Sequence, residues 1–251
     1  MERVSTGAKG LDEILGGGLP KGKTILVVGS PGSGKTILAV QFLRAGTDNG
    51  ERSLYVALDE KPEQVKENVS AFDWNLDQLE AEGKLMFIDA TPFRRTKSLS
   101  FGKYEVQGVL PLQEAIPEIS LEGLIQVVKR VSEEESVGRI AVDPITSLVV
   151  RYPDPARRRR AILMLFDALS STGATCLVTT ELRTSMLARK FQLEEFLSQG
   201  VLLLRTGIHA GNVVRAIQVE KMRGIAHDPQ LRPYLIGQNG IEVFPKDKVF
   251  K

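Results

Sequence analysis

The sequence predicts an α/β fold, in which a mainly parallel twisted sheet is flanked by helices and continued by an antiparallel extension of carboxy-terminal strands. Three observations carry that prediction. Short, β-branched apolar runs alternate with segments of helical period, a glycine-rich loop joins the first buried run to a helix, and beyond Gly200 strand follows strand. Alternation of strand and helix makes consecutive strands parallel through right-handed crossovers. Strands that follow one another directly pair antiparallel.

Each element has its own signal. Thr24 to Val28 is an apolar run ending at Gly29, the form of a strand buried on both faces. From Lys35 the residues Ile37, Leu38, Val40, Phe42 and Leu43 recur at helical spacing until Asp48-Asn49-Gly50 supplies a stop. Ser53 to Leu58 predicts a second strand. A helix then starts at Pro62, where the missing N–H costs nothing, and runs towards Asp73. Leu85 to Asp89 predicts a third strand, Leu121 to Ser132 a helix, Arg139 to Asp143 a fourth strand, Ala156 to Ser171 a helix and Thr175 to Thr180 a fifth strand. Between Thr91 and Leu121 prolines and glycines with weak periodicity predict a long, partly irregular excursion, not a domain boundary. The last strands are expected at Val201 to Arg205, Asn212 to Glu220, Pro233 to Ile236 and Ile241 to Phe244.

Composition bounds the function. A chain of 251 residues with 42% hydrophobic and 25% charged residues is expected to be one ordinary globular domain over residues 1–251. A single cysteine, Cys176, makes no internal disulfide, which excludes a disulfide scaffold and fits a reducing compartment. The net charge of +2 implies neither nucleic acid nor an anionic membrane as partner. Met-Glu-Arg-Val-Ser-Thr-Gly at the start has no apolar segment, and no run approaches the roughly 18 apolar residues of a membrane span, so a cytoplasmic protein with no membrane association is expected.

The chemistry is concentrated at predicted strand ends. Gly29-Ser30-Pro31-Gly32-Ser33-Gly34-Lys35-Thr36 fits G-x-x-x-x-G-K-S/T between a buried strand and a helix. Glycines there let backbone N–H groups curl around a polyphosphate, the helix start adds partial positive charge, Lys35 reaches the outer phosphates and Thr36 can ligate magnesium. Arg139-Ile140-Ala141-Val142-Asp143 is an apolar strand ending in a carboxylate, the form of the acid that holds magnesium in phosphate-loop enzymes. The competing reading is an Asp that caps the turn before Pro144.

Asp59-Glu60, after the second strand, could polarise a water that attacks the γ-phosphate, or could cap the Pro62 helix. Thr179-Thr180-Glu181 occupies the same kind of edge and could sense that phosphate, or could be a strand-end polar cluster. Arg157-Arg158-Arg159-Arg160 opens a helix where cations oppose the macrodipole, so a solvated or subunit-facing surface is expected to favour them, with nucleic acid the lesser alternative because the run lacks interleaved aromatics. His209 and His227 are too far apart and too unaccompanied for a metal site, and Trp74 is expected in the core.

Ser5-Thr6-Gly7, the stretch from Leu11 to Pro20, the phosphate loop, Asp59-Glu60, Phe72-Asp73-Trp74, the stretch from Val142 to Ser147, Thr179-Thr180-Glu181 and Lys221-Met222-Arg223-Gly224-x-x-His227 together resemble the KaiC-like branch of the RecA superfamily. That resemblance covers nearly the whole chain. It implies a RecA-like P-loop core, ring hexamers with ATP between subunits, and the carboxylate pair after strand two as catalytic. It also implies that Lys221 and Arg223 meet the γ-phosphate held by a neighbouring subunit's loop, with His227 a further donor; the competing readings are a charged edge strand and a plain turn. Three departures matter. This chain holds one such domain, where circadian KaiC has two in tandem. The first carboxylate, Glu in that family, is Asp59 here. Glu195-Phe196 stands where the family's autokinase domain has adjacent Ser and Thr acceptors, which excludes self-phosphorylation at that place.

The leading expectation is a slow, regulatory or signalling ATPase that uses ATP and Mg2+, releases ADP and signals to a protein partner of unknown identity. One alternative is a recombinase paralogue that binds DNA. Against it stand the lack of a separate DNA-binding segment before Ser5 and a basic loop of only Arg183, Arg189 and Lys190. The other alternative is a nucleotide-locked scaffold without turnover.

Overall fold

A computed structural model describes residues 1–91, 120–182, 192–209 and 211–249. The excursion expected from Thr91 to Leu121 falls almost wholly outside the described residues, as do Arg183, Arg189 and Lys190. The chain opens with β1 (Arg3–Val4), α1 (Leu11–Ile14) and β2 (Leu19–Pro20), and then β3 (Thr24–Gly29) feeds α2 (Lys35–Asp48). There follow β4 (Arg52–Ala57), α3 (Pro62–Asn68), α4 (Leu76–Ala81) and β5 (Leu85–Asp89). The second half holds α5 (Leu121–Glu134), β6 (Val137–Asp143), α6 (Thr146–Arg151), α7 (Pro155–Ser171), β7 (Thr175–Glu181) and α8 (Leu193–Leu197). It closes with β8 (Gly200–His209), β9 (Asn212–Met222), β10 (Arg232–Gly237) and β11 (Gly240–Val243).

Among the described residues one sheet has the order β11-β10-β9-β8-β3-β7-β6-β4-β5. The strands from β8 to β5 in that order pair parallel, and β8-β9, β9-β10 and β10-β11 pair antiparallel. The antiparallel regime expected from Gly200 thus begins one strand later. β8 returns after α8 beside β3 in parallel, and the direct turn into β9 is what reverses direction.

Side-chain parity explains the two cores. Ile25 and Val27 pack on one face of the sheet with Leu38, Phe42 and Leu43 of α2, while Leu26 and Val28 pack on the other with Leu124 and Val128 of α5 and Ile162, Leu165 and Leu169 of α7. A strand buried on both faces must be apolar at every position, which is why β3 shows no alternation in sequence. Trp74 lies in the α2-side core, stacked on Phe72 with ring centroids 4.7 Å apart. The helix from Pro62 stops at Asn68, short of Asp73, whose left-handed conformation ends the separate 3₁₀ turn Ser70–Phe72. The short helices α1, α4, α6 and α8 have too few turns to establish a period, and no sequence signal announced them.

The segment before β3 is anchored by side chains. Ser5 Oγ and Thr6 Oγ1 donate to the Asp12 carboxylate at 2.6 and 2.7 Å, and the Thr6 N–H donates to it at 2.8 Å. Arg139, buried on β6, donates to both oxygens of Glu51 at 3.1 and 3.0 Å and to the carbonyls of Ser5 and Phe42. This satisfies the buried guanidinium and ties the leading segment to α2 and β6. Two glycines make room: a Cβ at Gly46 would meet Arg139 Cδ at 2.5 Å, and one at Gly138 would meet Glu51 Oε2 at 2.7 Å.

Candidate functional site

Gly29 ends β3 at the carboxyl edge of the parallel strands, and Ser30, Pro31, Gly32, Ser33 and Gly34 turn the chain into α2. Gly32 and Gly34 have φ of +73° and +88°, a region that L side chains rarely adopt. No side chain caps α2, so its first N–H groups remain directed at the loop. The Lys35 ammonium donates to the carbonyls of Gly29 and Ser30 at 3.0 and 3.1 Å. Burial holds its pKa below the ordinary lysine value, opposed by the nearby charges of Asp143 and Glu181.

Strand parity gathers the rest. On β6 the alternation that turns Ala141 towards α2 turns Asp143 the same way, and on β4 and β7 it does so for Tyr55 and Thr179. Asp143, buried, therefore accepts from Thr36 Oγ1 at 2.7 Å and from Tyr55 Oη at 2.6 Å on one oxygen, and from the Thr179 hydroxyl on the other. Burial, then the charge of Asp143, pushes the Tyr55 phenol well above its ordinary value. Asp143 thus receives side chains from three other elements and does not cap the turn at Pro144. Tyr55 escaped the sequence reading, although its even spacing from Ala57 on a strand beside β6 was the available signal.

Asp59 and Glu60 follow β4 at this same edge, where the Leu58 N–H donates to the Asp143 carbonyl at 2.8 Å. Glu60 accepts from Asn68 Nδ2 at 2.8 Å, a link to the far end of α3. The cap of α3 is Lys61, whose N–H donates to Gln64 Oε1 at 3.1 Å, so the capping role weighed for Asp59-Glu60 belongs to the next residue. Glu181 pairs in register with Gly29, and its backbone N–H donates to Thr146 Oγ1 at 3.2 Å. Thr180 faces the opposite side of β7, with Oγ1 3.4 Å from Glu194 Oε1.

Lys221 and Arg223 sit at the opposite edge. Lys221 pairs with Val201, which pairs with Leu26, so it lies three residues before Gly29 along the strand direction, about 10 Å away, and two strands aside. β9 is irregular there, since the register shifts between Val201 and Leu202. Lys221 Nζ donates to the Glu195 carbonyl at 2.6 Å and Arg223 Nη2 to that of Phe196 at 3.5 Å, so both cations meet the carboxyl end of α8. Burial, then the charge of Arg223, holds the Lys221 pKa down. His227 is half-buried in the turn before β10, and its Nδ1 has no hydrogen-bond partner among the described residues. Within one chain, Lys221 and Arg223 are not brought together with Lys35.

The arginine run opening α7 has an anionic neighbour after all: Asp154 caps the helix, its Oδ1 accepting from the Arg157 N–H at 2.8 Å. Arg157, Arg159 and Arg160 are exposed. Among the described residues no helix is long and apolar enough to cross a membrane.

A glycine-rich loop between the central strand and α2, with a hydroxyl and an acid converging on its first turn, defines a RecA-type P-loop core. The chain belongs to the KaiC ATPase family: the family model described as "ATPase: KaiC" matches residues 4–248. A UPF0273 protein of Thermotoga maritima is 34% identical over 247 residues, covering 98% of each chain. The circadian clock oscillator protein KaiC of Picosynechococcus is 32% identical over 247 residues, which are 98% of this chain and 45% of that protein. A crystal structure of a KaiC-like protein from Pyrococcus horikoshii superposes with a TM-score of 0.79 at 27% identity, covering 97% of this chain and 99% of that one.

Proposed function

We propose that this chain is a regulatory ATPase that binds ATP with magnesium, hydrolyses it slowly and assembles into a ring, a hexamer, with nucleotide between subunits. The convergence of Thr36, Asp143, Tyr55 and Thr179 beside the loop carries the reading. Ser30 to Thr36 cradle the phosphates through their backbone, and Lys35 turns from its own loop carbonyls to the outer phosphates. Thr36 and Asp143 supply hard oxygen donors 2.7 Å apart, which suits magnesium, with Asp143 acting through water. Magnesium, when bound, neutralises charge shared by the β- and γ-phosphates. Asp59 and Glu60 orient and deprotonate the attacking water, and the shorter Asp59 accounts for slow turnover.

Placement at the opposite sheet edge supports a role for Lys221 and Arg223, with His227, towards the nucleotide of a neighbouring subunit. ADP is the product, and slow turnover in a KaiC-type domain suits signalling to a protein partner. No described contact favours DNA. The test is calorimetry with ATP and magnesium, paired with phosphate release and mass measurement of the assembly. The expected result is that the wild-type chain binds, releases phosphate and forms rings, and that Lys35→Ala loses tight triphosphate binding while remaining folded. Undiminished ATP affinity in that variant refutes the site.

A further inference from the structure

The carboxy-terminal hairpin is built onto the phosphate loop. Tyr234 of β10, 1% exposed, donates from Oη to the Ser33 carbonyl at 2.6 Å. A Cβ at Gly34 would lie 3.0 Å from Ile236 Cδ1 of β10 and 3.3 Å from Ile241 Cδ1 of β11. Gln41, two turns into α2, accepts from the Ile241 N–H at 2.9 Å and donates to the Ile241 carbonyl at 3.2 Å. Strands of this extension therefore touch the loop at two successive residues and its helix at a third.

The peptide geometry says what the phenol does. In a planar trans peptide the C=O and the following N–H point in opposite directions. Holding the Ser33 carbonyl towards Tyr234 turns the Gly34 N–H away from the hairpin, and φ of +88° at Gly34 then starts α2. A phosphate loop works by backbone N–H groups aimed at one point, so the orientation of this peptide plane is part of the binding machinery. Gly34 has no side chain with which to enforce it. The neighbouring hydroxyl does not help, because Ser33 Oγ is buried with no partner among the described residues.

We infer that Tyr234 is a positioning residue of the phosphate site, fixing the Ser33-Gly34 peptide so that the Gly34 N–H is preset for a phosphate oxygen. The inference rests on the ATP-binding reading above and adds to it an element from outside the loop. It also relates β10 to the strand that carries Lys221. β10 pairs with β9 through Arg232↔Ile217 and Pro233↔Ala216, and β9 ends at the residues Lys221 and Met222, so the strand that carries Lys221 adjoins the strand that holds the loop.

Tyr234→Phe keeps the ring and removes the donor. Expected is a loss of about tenfold in triphosphate affinity, appearing as a raised KM with kcat nearly unchanged and as faster dissociation of a fluorescent ATP analogue. Without nucleotide, hydrogen exchange should accelerate at the Gly34 and Lys35 amides and stay unchanged in β6 and β7, a localised effect that general destabilisation does not produce. Leu235→Thr, an exposed change on the same strand, should leave all these readings at wild type. A folded Phe variant with wild-type ATP affinity and wild-type exchange at Gly34 overturns the inference, provided that the wild-type chain binds ATP. If the wild-type chain itself does not bind, the site reading fails first. Should the Phe variant not fold, wild-type protein labelled with 3-fluorotyrosine decides. The chain has four tyrosines, and the Tyr234 fluorine resonance should shift on triphosphate binding while that of Tyr152 stays fixed. A stationary Tyr234 resonance in protein saturated with ATP contradicts it.

Discussion

At the carboxyl edge of the parallel strands the two central charged groups of the site have internal company: Asp143 receives three hydroxyls, and Lys35 meets two carbonyls within 3.1 Å. At the amino edge burial and the charge of Arg223 hold the Lys221 pKa down, the carbonyls of Glu195 and Phe196 are the acceptors of the two cations, and Arg223 is exposed. The first arrangement is complete within one chain. The second presents positive charge outward, and a polyphosphate on an adjoining molecule would balance it. On the proposed function, binding belongs to the first edge and rate enhancement to the meeting of the two edges from different subunits.

The largest effect is expected at the amino edge. Arg223→Ala should lower kcat by about 10³–10⁵, the range measured for arginine fingers, with ATP affinity nearly unchanged in steady-state kinetics and calorimetry. An equal loss of affinity would move Arg223 into the ground-state site and dissolve the contrast. Next come the carboxylates. The double change Asp59→Asn with Glu60→Gln should reduce phosphate release by about 10²–10⁴ without weakening binding. Undiminished turnover would leave Glu60 as the tether of Asn68 alone.

Tyr55→Phe sharpens the carboxyl edge. It strips one of three donors from a buried carboxylate and should cost about 1–3 kcal/mol in denaturant unfolding, with the remaining hydroxyls still holding Asp143. No loss of stability would contradict the contact. The smallest effect is with pH. Because burial lowers the Lys35 pKa, the unfolded chain keeps that proton to higher pH than the folded one, so folding stability rises as pH climbs through the depressed pKa towards 10.5. ATP binding has the opposite sign, since phosphate charge favours the ammonium and affinity falls over the same window. Calorimetry in alkaline buffers of different ionisation enthalpy should detect proton uptake on binding, absent from Lys35→Ala.

What the sequence disclosed and what it withheld divide along the same lines as the physics. The loop, α2 and β3 were legible because glycine spacing, a lysine and an uninterrupted apolar run each have one structural meaning. Asp143 was legible as an acid ending a buried strand. Tyr55 and Tyr234 were not, because a tyrosine in an apolar strand looks like core until the strand order β9-β8-β3-β7-β6-β4 sets one beside Asp143 and the hairpin folds the other onto Ser33. Arg139 was taken as the start of a strand, and its burial depends on Glu51 and two carbonyls arriving from segments far apart in sequence. Neighbours of this kind leave no periodicity behind. The match of Lys221 and Arg223 to a family pattern pointed to a γ-phosphate, and the sheet register sets both residues apart from the phosphate loop of their own chain.

Catalysis shared between subunits is the claim most open to direct trial. Lys35→Ala chains lack the loop cation but keep Arg223, and Arg223→Ala chains have the converse defect, so each is expected to be inactive alone. In rings mixed at equal ratio, verified by mass, about a quarter of the interfaces join an intact loop to an intact Arg223, because each interface draws one edge from each of two neighbours. The account predicts that phosphate release rises from near zero to a maximum close to equal mixing. Activity that stays at the weighted sum of the two inactive variants at every ratio would contradict it.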